Sequence, residues 1–342
     1  MSKKSDIVQR FVTLLFEGQF VQKRIWQQMI ATLVISTSLL SSCLKENMSN
    51  CPEQIRVYFT FTTIDTYTGE GDDPINPDDV DRMRLFIFSD KGYYLGEYRD
   101  ENITGFSTEY YIDCSDLLPG KYSFIAWGGM DEYYYATIPE LFEKGKTTFD
   151  EALVMLNHNG NSVHHIFHSD LPVTVTNDKV QRFDMPLAQL SNTINIHTVG
   201  LPADNYQYSF NITDNNDIYH FDRSFATNVK DAKFTYTAPC TKDGMHQLHS
   251  TLNVLRLAEN RHTPQLQIYN ETTGTVLYPF GTHSGDLIGL IKSAYPENDF
   301  DKTHTYNIVL VFGPPSDGNT NFTLTIFING WQVRDQNVDL VE

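Results

Sequence analysis

Hydrophobic and polar positions alternate along most of the chain. Ile55, Val57, Phe59 and Phe61 fall on one face and Arg56, Tyr58, Thr60 and Thr62 on the other, the period of a half-buried strand. Arg84-Leu85-Phe86-Ile87-Phe88 and Tyr93–Tyr98 flank the turn Ser89-Asp90-Lys91-Gly92, whose glycine supplies the positive φ of a hairpin. Further strands are predicted at Glu109–Asp113, at Tyr122–Trp127 behind the turn Leu118-Pro119-Gly120-Lys121, at Val163–Phe167 and at Leu171–Thr176. The second half repeats this style without repeating the sequence. Ile194 and Ile196 alternate with Asn195 and His197, and strands follow at Tyr206–Thr213, Ala232–Thr237, His249–Leu257, Leu266–Tyr269, Tyr306–Phe312 and Phe322–Ile328. Two short helices are predicted. One has the capping-box spacing of Thr148 and Glu151 ahead of Ala152-Leu153-Val154-Met155-Leu156; the other spans Asp286–Ser293.

Many short strands between turn signals mean an all-β fold of sandwich or barrel type, and no period of 20–50 residues recurs. With about 300 residues after the leader, two tandem β-sandwiches are expected, over 53–188 and 189–342, with the junction near Ala188-Gln189-Leu190-Ser191.

The N-terminus breaks the alternation. Met29–Ser42 is uncharged, Lys23 and Arg24 precede it, and Cys43 closes it. A basic segment, an apolar segment too short to span a bilayer and a small-residue cleavage site make 1–42 a signal peptide. Leu40-Ser41-Ser42-Cys43 is similar to a bacterial lipobox, which makes Cys43 the expected lipidation site and 43–52 a lipidated tether. Residues 1–20 are unusual ahead of such a signal and point to an overextended start, with Val21 as the alternative.

Composition sharpens this picture. The 342 residues carry 25 Lys+Arg against 43 Asp+Glu, a net charge of −18. The leader takes five basic and two acidic residues with it, so the chain from Cys43 stands at −21. Such acidity argues against a nucleic-acid partner, whose phosphates need clustered Lys and Arg. Of the four cysteines, Cys51, Cys114 and Cys240 remain after lipidation. In an exported protein three thiols allow one bridge, and Cys51–Cys114 is favoured because Cys51 opens one predicted strand and Cys114 ends another.

Several segments in order carry a family resemblance. Cys51-Pro52-Glu53-Gln54-Ile55-Arg56-Val57-Tyr58-Phe59 follows the lipobox, then Asp79–Phe88, then Leu118–Gly128, then Leu190-Ser191-Asn192-Thr193-Ile194-Asn195-Ile196, and finally Ile328-Asn329-Gly330-Trp331. The succession resembles the FimB/Mfa2 family of fimbrial anchor lipoproteins of Bacteroides and Porphyromonas relatives, over essentially residues 29–342. The resemblance implies two transthyretin-like β-sandwich domains. It also implies an outer-membrane lipoprotein at the base of a cell-surface fimbria that engages shaft subunits by β-strand complementation.

The remaining candidate chemistry is weaker than its structural alternatives. His158, His164, His165 and His168 crowd together, and His164 and His168 share a strand face as two metal ligands would; solvated imidazoles are favoured. The loop carrying Asp72, Asp73, Asp78, Asp79 and Asp81 lacks the oxygen spacing of a calcium loop. Trp127 and Trp331 are weighed as sugar platforms, with core packing favoured. No hydrolase, zinc-protease, P-loop or dinucleotide fingerprint occurs. The expectation is therefore a non-enzymatic anchor with no cofactor, no metal and no catalytic residue, and a surface glycan-binding lipoprotein as the alternative.

Overall fold

The computed structural model describes residues 54–61, 79–157, 162–201, 205–226, 233–243, 245, 247–261, 263–280, 283–313 and 323–333. Cys43 and Cys51, His158 and most of the acidic loop lie outside them.

Nearly every alternating segment is a strand. The first half contains β1 (Gln54–Phe61), β2 (Met83–Ser89), β3 (Tyr94–Asp100), β4 (Tyr111–Asp113), β5 (Gly120–Gly128), β6 (Tyr135–Ile138), β7 (Leu153–Leu156), β8 (Phe167–Val175) and β9 (Val180–Gln189). All except β6 and β7 form one sheet in the order β3-β2-β5-β8-β9-β1-β4. Strands β8 and β9 pair only at Phe167↔Gln189 and His168↔Ala188, so the sheet folds over at that corner. Its inner faces enclose a core that includes Ile55, Val57, Phe59, Leu85, Ile87, Phe124, Met185 and Leu187.

The second half contains β10 (Ser191–Val199), β11 (Tyr208–Asp214), β12 (Ile218–His220), β13 (Phe234–Pro239), β14 (Thr241–Lys242), β15 (Leu248–Leu255), β16 (Gln265–Asn270), β17 (Thr275–Tyr278), α1 (Leu287–Ala294), β18 (Thr305–Gly313), β19 (Thr323–Ile328) and β20 (Trp331–Gln332). A six-stranded sheet, β14-β15-β10-β18-β19-β20, faces a four-stranded one, β13-β11-β16-β17. Ile194, Ile196, Leu252, Ile308 and Leu310 from the first meet Phe210, Ile212, Tyr236, Leu266 and Ile268 from the second in one core. The chain is thus all-β, a tandem β-sandwich. Each half also opens the same way. Its first strand pairs in parallel with a strand far along that half, β1 with β9 and β10 with β18, and antiparallel with another on its other side.

A fourth sheet, β12-β7-β6, joins the halves. Ile218–His220 of the second half pairs antiparallel with Leu153–Met155 of the first. Directly after β12, Phe221 inserts among Phe86 (ring centroids 4.9 Å apart), Phe142 (5.4 Å) and Trp127 (5.9 Å). The consequence is visible in β2. Phe86 and Phe88 belong to the core shared with the second half, while Leu85 and Ile87 belong to the first-half core. A strand buried on both faces reads as a continuous apolar run, which is what Met83–Phe88 is.

Three expectations need correction here. The predicted strand at Val163–Phe167 carries no ladder before Phe167, where β8 opens. The segment 148–156 is not a helix. The capping box forms, but it closes only one 3-10 turn, Phe149–Glu151, before the chain enters β7. Val154 and Leu156 are buried and their neighbours half-buried, so pairing on both sides of β7 overrode the local helix signal. The helix at 286–293 does form, as α1, with the Asp286 carboxylate accepting from the Gly289 N–H at 3.1 Å.

A further correction concerns the described histidines of the cluster: His168 is buried, and His164 and His165 are half-buried and packed against partners. His168 is 1% exposed, its ring 4.7 Å from that of Trp127 and its Nε2 2.7 Å from the Phe221 carbonyl, to which it donates. His165 Nδ1 lies 2.8 Å from Ser191 Oγ, and the His164 ring stacks on Tyr134. Burial lowers the His168 pKa to about 4 and, first through burial, that of His304 likewise. Both groups fold in the neutral form although the unfolded chain protonates near pH 6.5. Their contribution is therefore complete above about pH 6.5 and is lost as the pH falls toward 4, at up to ~1.4 kcal/mol per pH unit for each. Urea unfolding at pH 7.5, 6 and 5 should show stability declining in that direction, with a shallower slope in His168→Gln, which keeps a donor for the Phe221 carbonyl but does not titrate.

Candidate assembly surface

Any group attached ahead of Gln54 joins the protein at the start of β1. The Gln54 N–H donates to the Lys179 carbonyl (2.7 Å), the Ile55 N–H to Ser115 Oγ (3.1 Å), and the Cys114 N–H to the Ile55 carbonyl (2.7 Å). From there β1 and β9 run side by side from Gln54↔Val180 to Phe61↔Leu187, and Leu190 leads straight from β9 into β10. The entry point and the junction with the second half therefore lie at opposite ends of the β1–β9 ladder.

The junction motif is a set of backbone clamps. The Leu190 N–H donates to Ile166 (2.8 Å), and the Leu190 carbonyl accepts from the Arg256 N–H (3.0 Å) and from the Tyr219 hydroxyl (3.2 Å). Asn192 is fully buried. Its Nδ2 donates to the carbonyls of Thr303 and His304, and its Oδ1 accepts from the Leu257 N–H at 2.7 Å. Close approach matters at the neighbouring Gly129, where a Cβ would stand 2.1 Å from the His165 carbonyl oxygen.

Neither of the two described thiols is activated as a nucleophile. Cys114 is buried, and burial pushes its pKa well above the ordinary value; Cys240 is half-buried and its pKa is pushed up to about 12, again by burial first. Among the described residues no three His, Cys, Asp or Glu side chains converge as a metal site. The buried tyrosines have structural partners: Tyr135 Oη donates to the His164 carbonyl and Tyr236 Oη accepts from the Leu255 N–H.

What the fold does present is sheet edges, whose N–H and C=O groups can accept another strand. Most are blunted. At β3, Tyr94 is bonded to the 145–147 segment, a bulge interrupts the pairing with β2, and Glu97 holds Arg84 and Arg99. Strand β4 has three residues, β13 ends in Pro239, and β6 and β17 are each four residues followed by a proline. The β15 edge is met by Val163, whose N–H donates to Asn253.

Strand β19 differs. It is alternating, with Leu324, Ile326 and Ile328 buried, but β20 pairs only with Phe327 and Ile328, and the Val333 N–H adds one bond to the Ile326 carbonyl. Among the described residues no strand lies beyond Thr323–Thr325. Since β18 runs from Thr305 beside Thr193 to Val311 beside Val199, and Thr323 pairs with Gly313, this stretch lies at the end of the sheet remote from the junction.

The β19–β20 turn explains the Asn329-Gly330 pair. Both residues have positive φ (48° and 79°), as a tight two-residue hairpin demands, and the Asn329 side chain ties the turn to β18 by accepting from the Asn307 N–H (2.7 Å) and donating to the Thr305 carbonyl (3.2 Å). Trp331, beyond the turn, is 52% exposed and stacks on Tyr295 with the rings 16° from parallel; unlike Trp127 it is not a core residue. A β-turn strand so short has little inward burial to offer an indole.

Comparison with known proteins agrees with this architecture. The profile of the family "Fimbrillin-A associated anchor proteins Mfa1 and Mfa2" matches residues 48–337. The minor fimbrium anchoring subunit Mfa2 of Porphyromonas gingivalis is 24% identical over 323 residues, covering 88% of this chain and 92% of that protein. The solved fimbrial anchor protein Mfa2 from Porphyromonas gingivalis superposes with a TM-score of 0.63 at 21% identity, covering 83% and 99% of the two chains. A candidate polysaccharide-binding protein from Bacteroides thetaiotaomicron gives 0.63 at 19% identity over 83% and 98%, and a candidate adhesin from Bacteroides ovatus 0.64 at 17% over 83% and 96%.

Gly330→Ala should cost about 1 kcal/mol by forcing a Cβ into the left-handed region. Hydrogen exchange should show faster exchange at Phe327, Ile328 and Val333 while β10 and β18 keep wild-type protection.

Proposed function

The chain belongs to the family of fimbrillin-A associated anchor proteins, and from that premise we propose that it is the lipid-held anchor of a cell-surface fimbria. The family match over residues 48–337 carries this reading. The family is one of structural anchor proteins, so the proposed role is mechanical and assembling rather than catalytic. Cys43 would carry the acyl chains that hold the protein on the outer membrane, since two or more chains on one residue anchor far more firmly than one. The Cys51–Cys114 bridge would close the entry of β1 beside β4, where Cys114 and Ser115, just past the strand, already donate to and accept from Ile55. The partner would be a fimbrial shaft subunit, docked through a strand added along Thr323–Thr325 of β19, where the alternation suits β-augmentation and no described residue pairs with the edge.

The half-exposed Trp331 stack favours a second reading, a surface glycan-binding lipoprotein, in which the indole is a sugar platform.

Cys43→Ala should move the protein and its fimbriae from the cell fraction to the medium, read by immunoblot; retention of both on cells would refute lipid anchoring. The double variant Thr323→Lys/Thr325→Lys should keep the wild-type melting temperature yet lose recovery with shaft subunits, because lysines on an edge oppose strand addition. Undiminished recovery would place the contact elsewhere. A polysaccharide pull-down that captures the wild type but not Trp331→Ala would favour the glycan reading.

A further inference from the structure

The outer face of the six-stranded sheet carries rows of polar side chains bonded to one another across the strands. Thr251 Oγ1 donates to Asn195 Oδ1 (2.8 Å) and Asn195 Nδ2 to Asn307 Oδ1 (2.9 Å). The next row pairs His197 of β10 with His249 of β15, directly opposite in register. Their Nδ1 atoms are 2.7 Å apart and the ring centroids 4.1 Å. Neither imidazole takes part in the anchoring or docking described above.

A third residue fixes the chemistry of the pair. The Asp243 carboxylate is held by its own turn, Oδ1 accepting from the N–H groups of Met245 (2.8 Å) and Gln247 (2.9 Å), and Oδ2 stands 3.2 Å from His249 Nε2. A carboxylate only accepts, so His249 Nε2 carries the proton and its Nδ1 lone pair is aimed at His197. This is the outer-shell arrangement in which a carboxylate orients a metal-bound imidazole and raises its basicity. Beside the pair an open cavity of about 530 Å³, bordered by Asn195, Thr251 and Asn307, leaves room for further ligands. The neighbouring Lys242 directs its amine over the Tyr208 ring.

We propose that His197 and His249 form a two-imidazole site for a borderline divalent transition ion of the zinc class, with Asp243 as the positioning residue. Imidazole nitrogens suit such ions at about 2.0–2.1 Å, and tetrahedral geometry then sets the two nitrogens about 3.3 Å apart, so the rings separate by only about 0.6 Å from their present spacing. Binding moves the His197 proton from Nδ1 to Nε2, which leaves both Nδ1 lone pairs on the ion. Because no third His, Cys, Asp or Glu converges among the described residues, water fills the remaining positions from the cavity side. The ion would bind β10 to β15 across the sheet.

The test is isothermal titration of the full-length protein in detergent with zinc chloride. The wild type should show one saturable site; His197→Ala and His249→Ala should each weaken it at least 50-fold, and Asp243→Asn 10- to 100-fold. His249→Gln serves as a second, less disruptive variant, and metal-free melting temperatures equal to wild type establish that each variant is folded. Absence of a saturable site in the wild type overturns the proposal. So does a site that survives unchanged in the folded His197 and His249 variants, since the zinc then rests on other groups.

Discussion

The structure depends on Phe221. It is the first residue after β12, the strand by which the second half pairs with the first, and its ring fills the space between Phe86, Phe142 and Trp127. Its carbonyl is the acceptor that makes a buried, neutral His168 tolerable. Removing the ring would open a cavity lined by residues of both halves, and removing the histidine would leave a buried carbonyl without its donor. Phe221 helps cover the apolar face of β2 and β5 turned toward the second half, together with Phe142 and Phe149.

Much of this was legible in the sequence, and for a definite reason. Period two survives in any strand with one wet face, so β1, β10, β18 and β19 are read directly from alternation. The segment 148–156 misleads because its capping box is real: the local signal specified one turn correctly, and the pairing of β7 with β6 and β12 decided the rest. The histidines mislead because burial of a polar ring depends on partners that are remote in sequence, His168 with Phe221 and His165 with Ser191. Trp331 differs from Trp127 only in what stands over it.

The candidate docking stretch was not legible at all. Nothing in Thr323-Leu324-Thr325 distinguishes an edge from an interior strand; edge status is a property of the neighbours, here the early end of β20. The same holds for His197 and His249. Each sits on the polar side of an alternating strand, and only the register places them opposite one another. In contrast, the segment Leu190–Ile196 carries a family resemblance in the sequence, and its buried Asn192 binds three main-chain groups from two distant segments.

The parallel pairing of β1 with β9 has a consequence for a protein pulled from both ends. Tension applied ahead of Gln54 would reach the described fold at the first residue of β1, whereas tension from the second half reaches it at the last residue of β9. Those points lie at opposite ends of an eight-residue register. The load then runs along the strands, and the hydrogen bonds between them resist together in shear; they are not peeled one after another as in a zipper. In the second half, β10 and β18 repeat the parallel arrangement. Mechanical strength of this kind comes from the direction of the strands, and adds nothing to equilibrium stability.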